Sequence, residues 1–137
     1  MGGEAVIYHG HIRLTGDVDF YYSGESANAA RLHSALLDFW GGDVPGIGRA
    51  GELEEPGLVL QFGRPPNRID LLNRVSGVEF EGAWDARLSL ALDDGTPIYY
   101  ISLADLMANK RATGRPKDLE DLAYLRRAAR EQEGQGD

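Results

Sequence analysis

The 137-residue sequence has no cysteine, which excludes disulfide frameworks, thiolate nucleophiles and cysteine-ligated zinc together. It has no apolar run approaching the roughly 18 residues that would cross a bilayer. Nor does it open with a basic segment followed by an apolar one, the pattern of a leader. These absences predict a cytoplasmic chain with no membrane partner. Positive charge is scarce, with 14 Lys and Arg against 22 Asp and Glu and a net charge of −8, so broad contact with nucleic acid phosphates is disfavoured. What basic charge there is gathers late, in Lys110, Arg111, Arg115, Lys117, Arg126, Arg127 and Arg130, so that one face can still accept an anion. A hydrophobic fraction of 42% with 26% charged residues is that of a folding chain. Its length and lack of internal repeats predict one domain spanning residues 1–137.

Strand and helix signals alternate along the chain and predict an α+β fold. Glu4–Tyr8 reads as a short helical turn ended by Tyr8-His9-Gly10-His11. Asp17-Val18-Asp19-Phe20-Tyr21 alternates with period two, which turns Val18 and Phe20 to the core and both aspartates the other way. From Ser26 to Trp40 the residues Ala29, Leu32, Leu36, Phe39 and Trp40 recur at helical spacing, with Ser26 as N-cap and Gly41 as stop. The Gly, Pro and Glu-rich stretch 41–57 reads as one long loop. Leu58–Phe62 and Arg68–Leu72 are strands around a Pro65-Pro66 break. Leu88–Leu92 and Pro97–Ile101 flank the turn Asp93-Asp94-Gly95-Thr96. From about residue 102 the chain turns helical. Ser102 caps a helix to about Arg111, and a last helix from Pro116 buries Leu119, Leu122, Leu125 and Ala129 before a frayed tail at 131–137.

Chemistry concentrates in Asp17, Asp19 and Asp70. Two carboxylates at i and i+2 on a strand leave one face with Cβ atoms about 7 Å apart, a span across which they can share a hard divalent cation. Asp70 likewise interrupts the apolar run Arg68-Ile69-Asp70-Leu71-Leu72. If the two strands are neighbours, three carboxylates converge, which suits two Mg²⁺ ions in phosphoryl or nucleotidyl transfer. The third aspartate can also accept the nucleophile's proton. The structural alternative is an ion pair of Asp70 with Arg68 or Arg13. Gly2-Gly3 precedes the pair by thirteen residues, and glycines at a helix start let backbone N–H groups approach phosphate. His9-x-His11 lacks a third ligand for zinc. Ser23 and Ser26 lack a triad. Tyr21, Tyr22, Tyr99 and Tyr100 suit either base stacking or half-buried packing, and Trp40 and Trp84 are most simply core or rim.

In these motifs the chain resembles the nucleotidyltransferase superfamily with the DNA-polymerase-beta-like fold, whose pattern is Gly-Gly, then Asp-x-Asp, then a third acidic strand residue. It looks closest to the bacterial subgroup allied to abortive-infection toxin nucleotidyltransferases, through Tyr8-His9-Gly10, Arg13–Asp19 and the segment Asn109–Leu122. The resemblance implies a mixed sheet flanked by helices and transfer of a nucleoside monophosphate from an NTP to a hydroxyl of RNA, protein or a small molecule. It also implies a toxin or antiphage role, with tRNA or a protein as acceptor and an antitoxin as partner. Asp17 and Asp19 would be metal ligands and Asp70 the third carboxylate, with Gly2 and Gly3 at the triphosphate. Lys110 would place its charge on the triphosphate, with Arg115 beside it; the alternative for Lys110, Arg111 and Lys117 is a solvated helix end. The family's first core strand precedes the Gly-Gly and is missing here: either the start is truncated, or another chain supplies that strand, or the fold tolerates its absence, and an exposed sheet edge beside the aspartates would invite a homodimer. A catalytically degenerate member that binds nucleotide or a partner protein is the competing expectation.

Overall fold

A computed structural model describes residues 18–64 and 67–135. Gly2, Gly3, the 4–8 turn, His9, His11, Arg13, Asp17 and the Pro65-Pro66 pair lie outside them. The described chain is α+β, with two small sheets and four helices. Strand β1 (Val18–Tyr21) leads into helix α1 (Ser26–Trp40). A 3₁₀ turn at Ala50–Glu54 then precedes β2 (Val59–Arg64) and β3 (Asn67–Leu72). Next come helix α2 (Phe80–Asp85), the hairpin strands β4 (Leu88–Ala91) and β5 (Pro97–Tyr100), and helices α3 (Leu103–Thr113) and α4 (Pro116–Gln135).

The larger sheet has the order β1-β3-β2, with β1 parallel and β2 antiparallel to β3. Its β3 strand is the one between two others, so residues from both ends of the sequence pattern meet across it. Leu60, Leu71 and Tyr22 are buried together with Ala29 of α1 and with Val44, Ile47 and Leu53, and Leu32, Leu36, Leu37 and Phe62 pack on that cluster. Helix α1 therefore covers one sheet face. Because side chains alternate along a strand, Asp19 and Asp70 belong to the other.

Several expected boundaries shift. The stretch 41–57 is no loose loop: it buries Val44, Ile47 and Leu53, and Asn73 Nδ2 holds it by donating to Leu53 O at 3.3 Å and Glu55 O at 2.8 Å. Three scattered apolar residues were too few to reveal a period, yet they fill the core. Glu25 rather than Ser26 occupies the N-cap of α1. Phe20 lies on the α1 side of the sheet but is 51% exposed because β1 is an edge strand among the described residues, and Phe39 is 72% exposed beyond the reach of the sheet. On α4 the inward positions are Asp118, Asp121, Leu122 and Leu125, while Leu119 is 51% exposed. That helix also continues to Gln135 through the expected tail.

The other expected signals form as read. Gly41 closes α1 in the left-handed region at φ 71°, and Ser102 Oγ accepts the Asp105 N–H at 3.1 Å to start α3. In the hairpin, the Leu92 N–H donates to Thr96 O at 2.8 Å while Asp94 Oδ1 accepts the Thr96 N–H at 2.9 Å.

Candidate active site

Asp19 and Asp70 are direct partners in the parallel β1–β3 ladder. Neighbouring strands lie about 4.8 Å apart, and paired residues share a face, so the two carboxylates leave the sheet side by side. Asp70 is 6% exposed, and an isolated buried carboxylate is costly. Arg68 compensates it in a forked contact, donating from Nε to Oδ1 at 2.8 Å and from Nη2 to Oδ2 at 3.1 Å. Their i, i+2 spacing puts guanidinium and carboxylate on the same face of β3. The ion pair foreseen as the alternative role of Asp70 is thus formed, and Asp70 also stands beside Asp19. Among the described residues no group of three or more acidic or histidine side chains is arranged to hold a metal ion. Asp17, expected with Asp19 as the metal-binding pair, lies outside them.

Asp19 also borders a cleft of about 110 Å³ lined by Phe80, Trp84, Arg87, Tyr99 and Tyr100. Tyr21, on the same sheet face as Asp19, donates its hydroxyl to Val78 O at 2.9 Å and meets Phe80 edge-on at 5.2 Å. Burial first, and then the negative charge of Glu79, push the Tyr21 phenol above its ordinary value, so it stays a neutral donor. Phe80 and Trp84, one turn apart on α2, stack at 6.0 Å, and Trp84 meets Tyr99 of β5 edge-on at 5.0 Å. The Arg87 guanidinium lies 3.8 Å from the Trp84 ring centre and 4.8 Å from that of Tyr99. Its Nη1 donates to Trp84 O at 2.7 Å, while Nε is buried with no hydrogen-bond partner among the described residues. Such an unmade bond costs about 1–3 kcal/mol.

This cleft was only half legible. Tyr99 and Tyr100 stood out as stacking candidates, but the rest of the wall did not. The signal was Phe80 and Trp84 at i, i+4 with Arg87 three residues on; α2 spans only Phe80–Asp85, too short for periodicity to declare it.

Lys110 departs from its expected place. It is 4% exposed, with Nζ 3.3 Å from Asp118 Oδ1 and 3.4 Å from Asp121 Oδ2. Arg115, its side chain 62% exposed, donates from Nε to Asp118 Oδ2 at 2.7 Å. The cluster welds α3 to α4. Burial pushes the Asp118 carboxyl up, but hydrogen bonds from Arg115 and Thr113 and the charges of Lys110 and Arg115 outweigh it and hold the group at about 2. The expected triphosphate cation is therefore an internal strut between two helices. Asp118 and Asp121 are its counter-charges. Sequence spacing could have suggested this, since Asp118 and Asp121 sit at i, i+3 on one helical face.

No protein-family model and no curated protein matches the chain. Among the described residues no helix is long and apolar enough to cross a membrane.

Proposed function

We propose that the chain is a nucleotidyltransferase-fold protein that uses Mg²⁺ to move a nucleoside monophosphate from an NTP to a hydroxyl of RNA, protein or a small molecule. The observation that carries this reading is the Asp19–Asp70 pairing: two carboxylates, distant in sequence, aligned on one face of a parallel strand pair. Asp19 and Asp70 would hold Mg²⁺, joined by Asp17, two positions before Asp19 in the sequence. The donor set fits, since Mg²⁺ takes carboxylate oxygens, and Arg68, which now engages both oxygens of Asp70, would have to give up at least one of them to the ion. When bound, the ion supplies charge neutralisation to the triphosphate and its pyrophosphate leaving group. In the transfer, the acceptor hydroxyl oxygen forms a bond to the α-phosphorus as the bond to pyrophosphate breaks, and Asp70 takes the hydroxyl proton. Arg68 holds Asp70 in the orientation to do so.

The toxin or antiphage role, the tRNA or protein acceptor, the antitoxin and the homodimer belong to the same proposal and derive from the sequence resemblance, and the cytoplasmic setting joins it from the composition of the sequence. A second reading, a degenerate module that binds nucleotide or a partner without turnover, is favoured by one observation: both Asp70 and Lys110 are engaged in internal ion pairs.

Calorimetric titration of ATP, GTP, CTP and UTP with Mg²⁺ into the wild type and D19N/D70N, followed by pyrophosphate release with bulk tRNA, separates the readings. Mg²⁺-dependent binding lost in the double variant, with pyrophosphate released by the wild type, is the expected result. Binding with no pyrophosphate under any acceptor leaves the module. No NTP binding by the folded wild type removes the catalytic reading and leaves only a partner-binding module.

A further inference from the structure

We propose that the face of α4 bearing Arg126, Arg127 and Arg130 is a docking strip for the phosphate backbone of structured RNA. The exposed surface of residues 111–130 carries six basic side chains and one carboxylate, Glu120, on a chain whose net charge is −8. The fold creates this segregation. Asp118 and Asp121, the other two acids of the segment, are turned inward and neutralised by Lys110, so they bring no negative charge to the surface. With Asp118, Leu122 and Leu125 inward and 3.6 residues per turn, Arg126 and Arg130 fall one turn apart on one flank, in line with the exposed Leu119, and Arg127 takes the outermost position. Arg130 Nε leans back on Arg126 O at 3.4 Å. Among the described residues no carboxylate lies within ion-pair distance of any of the three. The helix dipole does not account for them, because its effect is confined to the last turn and the last turn of α4 holds no basic residue.

What the strip lacks selects the partner. A protein interface is centred on a buried apolar patch, but Leu119 is the one large apolar side chain exposed among the described residues of α4, so a protein would meet charge with almost nothing to bury. Base stacking needs aromatic rings, and the single aromatic residue of α4, Tyr124, is half-buried on the opposite flank. Guanidinium groups without either of these answer phosphate oxygens, in forked pairs, and contacts to phosphate alone position a nucleic acid without reading its sequence. The strip is also joined to the site. Leu125, next to Arg126, packs with Ile101 and Leu106, and Ile101 lines the cleft that Asp19 borders, which makes α4 the layer behind that wall. The binding itself does not depend on the Mg²⁺–NTP reading. That the nucleic acid is RNA, and that it is the acceptor, rests on that reading.

Fluorescence anisotropy of a labelled RNA hairpin, with the full chain in EDTA and no nucleotide, measures the binding apart from any Mg²⁺ chemistry. The wild type should bind the hairpin, more weakly as salt rises. R126Q/R127Q/R130Q should bind at least about tenfold more weakly, with a salt slope lower by about 2–3, roughly one per phosphate contact removed. All three side chains are exposed, so the thermal melt followed by circular dichroism should not move. R31Q/R49Q/R64Q, which removes as many exposed cations elsewhere, should bind like the wild type. Absence of hairpin binding by the folded wild type at about 50 mM salt would overturn the strip. So would an equal loss in both triple variants, which would make the effect one of net charge. Competition by polyglutamate at equal charge concentration would replace RNA with an acidic protein, and tighter binding of a DNA hairpin of the same sequence would replace it with DNA; either overturns the proposal. Hairpin binding by a chain that shows no Mg²⁺-dependent NTP binding would overturn the acceptor role and the catalytic reading while leaving the strip in place.

Discussion

The Arg68–Asp70 pair is asymmetric, and the asymmetry predicts unequal mutational costs. Asp70 has a side chain 9% exposed, whereas the Arg68 side chain is 29% exposed. Removing Arg68 strands a carboxylate away from water, while removing the charge of Asp70 leaves a guanidinium that can still turn toward solvent. R68A should therefore destabilise by on the order of 3 kcal/mol and D70N by about 1 kcal/mol. Urea melts of both variants check this, and equal losses would contradict it. Mg²⁺ should bind R68A more tightly than wild type, because a bound cation replaces the lost partner; calorimetry with Mg²⁺ alone reads that change. At this scale the sequence was informative about residue type and face but not about partner. An acidic residue inside an apolar strand marks Asp70 as special, and strand alternation gives its side. Whether its counter-charge is a metal or Arg68 depends on which groups reach it, and the i, i+2 neighbour has the shortest path.

The elements differ in how well local signals define them. Ser102 makes the expected cap hydrogen bond at the start of α3, and its loss in S102A should cost about 1 kcal/mol, measured by thermal melting. A glycine shows where local signals stop. Gly77, at φ +78°, lies so close to α3 that a Cβ would sit 2.7 Å from the Ala112 Cβ and 2.9 Å from the Ala108 carbonyl oxygen. Next to it, Asn109 Nδ2 donates to Ser76 O at 2.9 Å. G77A should thus destabilise by about 1–3 kcal/mol, through a left-handed backbone and an overfilled contact together. Nothing in the neighbouring Ser76-Gly77-Val78 run announces a helix packed against it, because the contact is made by residues more than thirty positions away. The same limit explains α4, where periodicity assigns Leu119 to the core but the structure turns Asp118 and Asp121 inward instead. A hydrophobic count cannot foresee two carboxylates buried around one lysine.

Across the whole molecule, apolar burial is divided between the cluster under α1 and a second one of Ile101, Leu106 and Leu125, with Tyr100, Leu103 and Met107 packed on it. The Lys110–Asp118–Asp121 cluster ties the two helices that build the second. Its response to acid can be isolated even though the net charge of −8 makes total stability change with pH for many reasons. Asp118 is held at about 2 in the folded chain, against an ordinary 3.8. A carboxyl depressed by folding contributes stability that is complete above the unfolded value and disappears as pH falls toward the folded one. The stability gap between wild type and D118N should therefore be constant above about pH 5 and shrink steadily from there to about pH 2. Both proteins carry nearly the same other charges, so the difference cancels general acid repulsion. Urea unfolding of the pair at pH 7, 5, 4, 3 and 2, followed by circular dichroism, measures the gap directly. A gap that stays flat to pH 2 would mean that the strut does not depend on the Asp118 charge, and that Lys110 draws its counter-charge from Asp121 and is released from Asp118.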